Sequence, residues 1–383
     1  MKKKKSLRWL ANLLAICVIM AIAVAISNST SKTIKLKLVP CVWQCCYLII
    51  LACSLNLVLG YLGQLSLGHC GFMAVGAYAS ALISLAFQRA EFFTEKSGPA
   101  FAAVLLISIL SAGLIAGALG LLVGIPALRL KGDYLAIITL GFGMIIVNLI
   151  NNIPWCGQQG LGEGSASSSL YANGLAFTNA EKMKYMWFAV LIVIVCVALM
   201  VFFVNSKYGR AIRAIRDNEI AASAAGLNVS FYKILTFVVS AFFAGVTGAL
   251  YSCANSALST TTFAFTNGSI LNSVFAVVMV VIGGMGSMTG SVVAAIGMFL
   301  LNYTIKNGAW VQILPGFLRQ IFTYPMLVYS VALVIVILFR PHGIMGNREF
   351  SLCDVPEYPG RLWDYFRSMR ERDPAEREES KDE

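Results

Sequence analysis

The chain has 383 residues, 58% of them hydrophobic and 12% charged. Soluble domains carry about 25% charged residues, so this balance excludes an ordinary water-soluble fold. The formal net charge of +11 does not point to nucleic acid, because the basic residues gather in short segments between apolar runs, as expected of cytoplasmic loops.

Runs of about 20 apolar residues cross a hydrocarbon core as helices, whereas a β-barrel shows short alternating segments. The runs here are continuous. The sequence predicts an all-α polytopic membrane protein with about ten transmembrane helices, some broken at glycines.

Lys2, Lys3, Lys4, Lys5 and Arg8 flank the first run, residues 7–26. A signal peptide has the same layout, and Ala23-Val24-Ala25 resembles a cleavage site. A polytopic chain follows, which favours a retained signal anchor. Lys32, Lys35 and Lys37 then fall outside, against the positive-inside trend. The second run covers 38–59. Cys41, Cys45, Cys46 and Cys53 on it have no nearby His or carboxylate to complete a metal site and read as small buried apolar residues.

GYLG at 60–63 reads as a break where unwound backbone lines a cavity. Gly68, Gly71 and Gly76 suit close helix approach in lipid. Gln64, Ser66 and His69 lie just beyond the break on a third span that ends near 83. Intramembrane polar groups skew towards function, although a lone His at such a mouth is more often a structural hydrogen-bonder.

The fourth span is 99–124, followed by a basic loop with Arg129 and Lys131. Thr139, Gly141, Gly143 and Asn148 interrupt the fifth, 135–150. A Gly/Ser/Asn-rich outer segment, 151–184, reads as loop, and the sixth span is 185–204.

Next comes the polar stretch YGRAIRAIRDNEIAASAAGLNVSFY, 208–232. Its alanines and isoleucines suit a helix. Arg210, Arg213 and Arg216 share one face, Asp217 and Glu219 follow, and Gly226 stops the helix. Such a thin, smooth helix fits a groove on another protein; a basic loop set by topology alone is the alternative.

A seventh span covers 234–252. A short eighth, 270–283, ends in GGMGSMTG and reads as a broken helix. Runs at 291–305 and 320–339 complete ten. GGMG and GYLG look faintly repeated and lie on one side in this topology. Three regions result: a transmembrane domain at 1–346, a cytoplasmic loop within it at 206–231, and a polar tail of mixed charge at 347–383.

No catalytic constellation is present. The span interiors lack Asp, Glu, Lys and Arg, which proton-coupled transporters use. There is no phosphate loop of the form G-x-x-x-x-G-K-[ST] and no H-E-x-x-H. The two histidines, His69 and His342, are far apart in sequence.

Five segments carry a resemblance: SLGHCGFMAVGAY (66–78), RLKGDYLAIITLGFG (129–143), GRAIRAIRDNEIAASAAGLNVSFYKILTFVVSAFFAGVTGALYS (209–252), VVIGGMGSMTGSVVAAIGMF (280–299) and FRPHGIMG (339–346). They resemble the M-type permease subunits of bacterial ABC importers for branched-chain amino acids. KGDYLAIITLGFG favours the M-type over its H-type sister.

The resemblance implies a multi-pass protein of the bacterial plasma (inner) membrane with a cytoplasmic C-terminus. It implies no cofactor bound by this chain, with ATP hydrolysed by partner ABC ATPase subunits. An H-type permease would form a heterodimer with it, and a periplasmic or lipid-anchored binding protein would deliver leucine, isoleucine or valine. It further implies that the polar loop docks on the ATPase, through Arg210, Arg213, Arg216, Asp217, Glu219, Ala221, Ala222 and Gly226. The family's Glu-Ala-Ala, three residues before a Gly, is matched by Ile220-Ala221-Ala222, with the glutamate one place early at Glu219.

A zwitterion on a path without fixed charge relies on helix-end dipoles and uncharged donors. Gln64, Ser66, His69, Thr139 and Asn148 are the candidates. Urea or short amides, which some relatives carry, and a stand-alone transporter or channel are the alternatives.

Overall fold

The computed structural model describes residues 32–90, 99–127, 134–153, 177, 179–255, 258–263 and 273–307, with 330, 331, 334, 338 and 343. Helix α1 (Lys32–Asn56) runs into a π turn, Leu57–Tyr61. Then follow α2 (His69–Arg89), α3 (Pro99–Ala127), α4 (Tyr134–Asn152), α5 (Asn179–Lys184) and α6 (Met186–Asn205). Two short helices, α7 (Lys207–Asp217) and α8 (Glu219–Ala224), lead to α9 (Val229–Ala254). A 3-10 turn (Thr260–Phe263), α10 (Ser273–Gly283) and α11 (Met288–Asn307) close the order, with no strand among the described residues.

Among the described residues, seven helical stretches are long and apolar enough to cross a membrane: Val39–Tyr61, His69–Gln88, Phe101–Ala127, Tyr134–Asn152, Met186–Asn205, Val229–Ala254 and Met288–Ile305. Ser273–Gly283 is a shorter apolar helix. These match the second to ninth predicted spans. The predicted run at 7–26, the Arg129/Lys131 loop, His342 and the tail at 347–383 lie outside the described residues. Of 320–339, only Ser330, Val331, Val334 and Leu338 are described, and all four are helical.

Helix α1 is the centre of the bundle. Trp43, Leu48, Ile49, Ile50, Leu51 and Leu55 are fully buried, and the helix packs on α6, α9, α10 and α11. Lipid tails are as apolar as these side chains, so close packing and hydrogen bonds must hold the helices together. Glycine supplies the closeness where α2, α3 and α9 meet. A Cβ at Gly76 would strike the Gly245 carbonyl, and one at Gly245 would lie 2.6 Å from the Ala112 carbonyl. Buried hydroxyls add links. The Ser80 and Ser252 Oγ atoms are 2.7 Å apart, and the Ser240 hydroxyl donates to the Ser54 carbonyl.

The two ends of the bundle differ. At one, Phe177 stacks on Tyr185 with centroids 5.0 Å apart and meets Trp43 and Phe101 at 5.6 and 5.9 Å. Its N–H donates to the Cys253 carbonyl, and the Trp43 indole donates to the Lys182 carbonyl at 3.1 Å. The segment 151–184, read from composition as loop, thus brings a buried aromatic and the helix α5 back to the bundle. The other end holds the glycine breaks and the α7–α8 loop.

Candidate functional site

The first break starts where α1 unwinds. The Leu62 N–H reaches back to the Leu57 carbonyl and the Gln64 N–H to that of Val58, so the ladder widens and then stops. Gly63 has φ +76°, a conformation that costs an L-residue about 1–2 kcal/mol. A Cβ there would also stand 3.1 Å from Arg216 Cγ. The irregular segment rests on α4: the Leu67 N–H donates to Thr139 Oγ1 at 3.2 Å, and Thr139 donates to the Ala136 carbonyl.

The second break follows α10. Gly284 and Gly286 both have positive φ, and Ser287 Oγ accepts from the Gly290 N–H to start α11. Gly343 packs on it: a Cβ there would lie 2.5 Å from Gly284 Cα.

Asn56 joins the two breaks. Its Nδ2 donates to the Ser287 carbonyl and to Ser291 Oγ, each at 2.9 Å. Its Oδ1 accepts from the Gly286 N–H at 3.0 Å. Gly60 lies against the same amide and the Gly286 nitrogen, so closely that a Cβ would overlap both. The motifs GYLG and GGMG, which resemble each other in sequence, are therefore in contact.

The loop between α6 and α9 is built by its own caps. Ser206 accepts from the Tyr208 N–H, Asn218 from that of Ala221 and Asn228 from that of Phe231. The cap at Asn218 divides the expected single helix into α7 and α8. Gly226, at φ +84°, closes α8: its N–H bonds the Ser223 carbonyl and the Leu227 N–H bonds that of Ala222. This is the Schellman pattern, which needs a left-handed residue at that place.

Ile212, Ile215 and Ala222 are buried and anchor the loop to the bundle. Glu219 pairs with Lys233 on α9 at 2.8 Å, the lysine side chain 8% exposed and the glutamate 47%. Ile220, by contrast, is 83% exposed, and Ala221, Ala224 and Ala225 beside it face outward as well.

The arginines divide by role. Arg210 is exposed. Arg213 donates to the Val204 carbonyl at 2.7 Å, satisfying the end of α6, with its guanidinium 5.8 Å from the Tyr61 ring centre. Arg216 donates to the Gly60 carbonyl at 2.6 Å. Both point into the protein rather than away from it, while Asp217 is exposed.

Of the pathway candidates, four gather at the first break and one does not. Gln64 Oε1 and Ser66 Oγ are buried without a hydrogen-bond partner. His69 is buried, and its Nε2 shares a hydrogen bond of 2.9 Å with Ser54 Oγ. Thr139 is likewise engaged. Asn148 stands apart on the exposed face of α4 with Ile145 and Leu149.

Sequence reasoning passed over Asn56 and Lys233. An Asn four residues before Gly60 in SLNLVLGYLG, one turn ahead of a glycine break, is the available signal for the first; a Lys at the start of an apolar helix is that for the second. Among the described residues no group of His, Cys, Asp and Glu could hold a metal ion.

A bundle of apolar spans whose helices are interrupted at two touching glycine breaks defines a polytopic membrane protein. The family model for the branched-chain amino acid transport system permease component matches residues 39–338, and the chain belongs to that family. It is 34% identical over 317 residues to the high-affinity branched-chain amino acid transport system permease protein LivM of Escherichia coli (strain K12), covering 78% of this chain and 67% of that protein. The corresponding LivM of Salmonella typhimurium is 32% identical over the same length and shares. LivH of Salmonella typhimurium is 23% identical over 306 residues, 78% of this chain and 91% of its own. These two LivM proteins are thus more similar to the chain than this LivH is. No solved structure matches the chain significantly.

Proposed function

We propose that this permease subunit forms the translocation path of an importer that carries branched-chain amino acids to the cytoplasm of a bacterial cell. ATP is hydrolysed on separate ABC ATPase subunits, which seat on α8. An H-type permease completes the path, and a substrate-binding protein delivers cargo at the aromatic end. The break end and the C-terminus face the cytoplasm.

One observation carries this reading. An isoleucine 83% exposed sits among outward alanines on a helix fixed by two caps and an ion pair. A surface apolar residue on a rigid polar loop suits a docking contact, and it stands at the same end as both breaks.

The unpartnered Gln64 Oε1 and Ser66 Oγ support a pathway role for the first break. A buried polar atom left unpaired costs about 1–3 kcal/mol, and the ammonium or carboxylate of a passing amino acid would relieve it.

The test is uptake of tritiated leucine into proteoliposomes. The complete assembly is expected to import only with ATP. Flux through this chain alone, without ATPase subunits, would instead favour a stand-alone channel.

A further inference from the structure

Arg216 and Asn56 lie at opposite ends of one uninterrupted set of contacts. The Arg216 guanidinium holds the Gly60 carbonyl at 2.6 Å, and its methylenes cover Gly63. Gly60 touches the Asn56 amide and the Gly286 nitrogen without room for a methyl group. Asn56 then uses both of its Nδ2 protons and its oxygen on the second break.

The joints at Gly60 and Gly286 are at places where the helices are already interrupted. Gly60 belongs to the π turn Leu57–Tyr61, whose carbonyl has lost its place in a regular ladder. Gly286 lies between α10 and α11. Interrupted helix backbone yields more easily than intact helix, so a push on the α7–α8 loop is taken up there. Close packing at Gly60 and three hydrogen bonds at Asn56 oppose movement of one break without the other.

We propose that Arg216 and Asn56 are coupling residues: displacement of the α7–α8 loop pulls the end of α1 through Arg216, and Asn56 makes the second break follow the first, so that both open and close as one gate. This deepens the reading of α8 as a docking surface and rests on it for the source of the push. The contact set itself requires no partner. Neither residue contacts cargo or ATP in this scheme; both act by position.

Two measurements separate the relay from the docking reading. In the first, a thiol is placed in the second break by Met285→Cys, and its reaction with a water-soluble maleimide is followed in membranes, with the labelling of the parent chain subtracted. Arg216→Ala, at a site in a different segment, is expected to change the labelling rate about tenfold, the factor that corresponds to about 1.4 kcal/mol. In an Asn56→Ala background, Arg216→Ala should add nothing. Ser291→Ala, which removes one of the three Asn56 contacts, serves where Asn56→Ala does not fold, and its effect should be less than additive with that of Arg216→Ala.

In the second, the complete assembly carrying Arg216→Ala is expected to go on hydrolysing ATP while importing less leucine per ATP. Labelling that ignores Arg216→Ala, multiplicative effects of the two substitutions, or hydrolysis and uptake falling in equal proportion would overturn the relay. Linked labelling together with no ATPase association would leave the relay standing and remove the docking reading.

Discussion

Arg216 on α7 donates to the carbonyl of Gly60 at the end of α1, 2.6 Å away. The two residues are 156 positions apart, yet this bond ties the polar loop directly to the unwound end of the central helix. A charge-assisted hydrogen bond of this kind contributes about 1.5–3 kcal/mol. Arg216→Ala should therefore destabilise the purified chain by a part of that amount in thermal unfolding. Arg216→Lys, which keeps a donor on a flexible stem, should recover some of the loss.

Gly60→Ala should be far more damaging than its size suggests. The added methyl would overlap the Asn56 side chain and the Gly286 backbone, and the first can yield only by giving up its three hydrogen bonds and the second only by opening a break. Loss of folded protein in a detergent gel-filtration profile is the expected result, whereas Gly141→Ala, which meets nothing within 4 Å, should behave as the parent.

Gly226→Ala separates strain from clash. No atom lies within 4 Å of the new methyl, but φ is +84°. The expected cost is about 1–2 kcal/mol, read as a lowered melting temperature, with Gly226→Asn milder because Asn tolerates this conformation better.

Much of this architecture is legible in the sequence. The second to ninth spans follow from apolar run length, and both breaks follow from clustered glycines. Gly226 as a helix stop follows from its position after the alanines.

What the sequence hides is direction. Arg210, Arg213 and Arg216 share a face by spacing, but spacing does not say that Arg213 and Arg216 turn inward to backbone carbonyls. The Val204 acceptor lies across the sharp α6–α7 turn, and Gly60 at the end of α1 is brought near only by the folded bundle. Asn218 is a helix cap in the middle of a helix-favouring run, so local propensity alone overruns it. Asn148 has the same polar character as Gln64 and Ser66, and only the packing of α4 separates it from them.

The Glu219–Lys233 pair should show strong coupling. Glu219→Gln leaves a nearly buried ammonium without its counter-charge, which is costly. Lys233→Met removes the need for the carboxylate. A double-mutant cycle on thermal stability is expected to give a coupling of about 0.5–3 kcal/mol, and the double variant should be closer to the parent than Glu219→Gln is.

Ile220 tests the central claim most directly, because it is 83% exposed and its replacement should leave the subunit itself intact. Surface changes of this kind usually alter stability by no more than about 0.5 kcal/mol. The measurement is co-purification of the ATPase subunits with an Ile220→Asp variant, alongside its melting temperature. The account predicts an unchanged melting temperature with ATPase association and leucine uptake both lost. Undiminished association and uptake in that variant would contradict it.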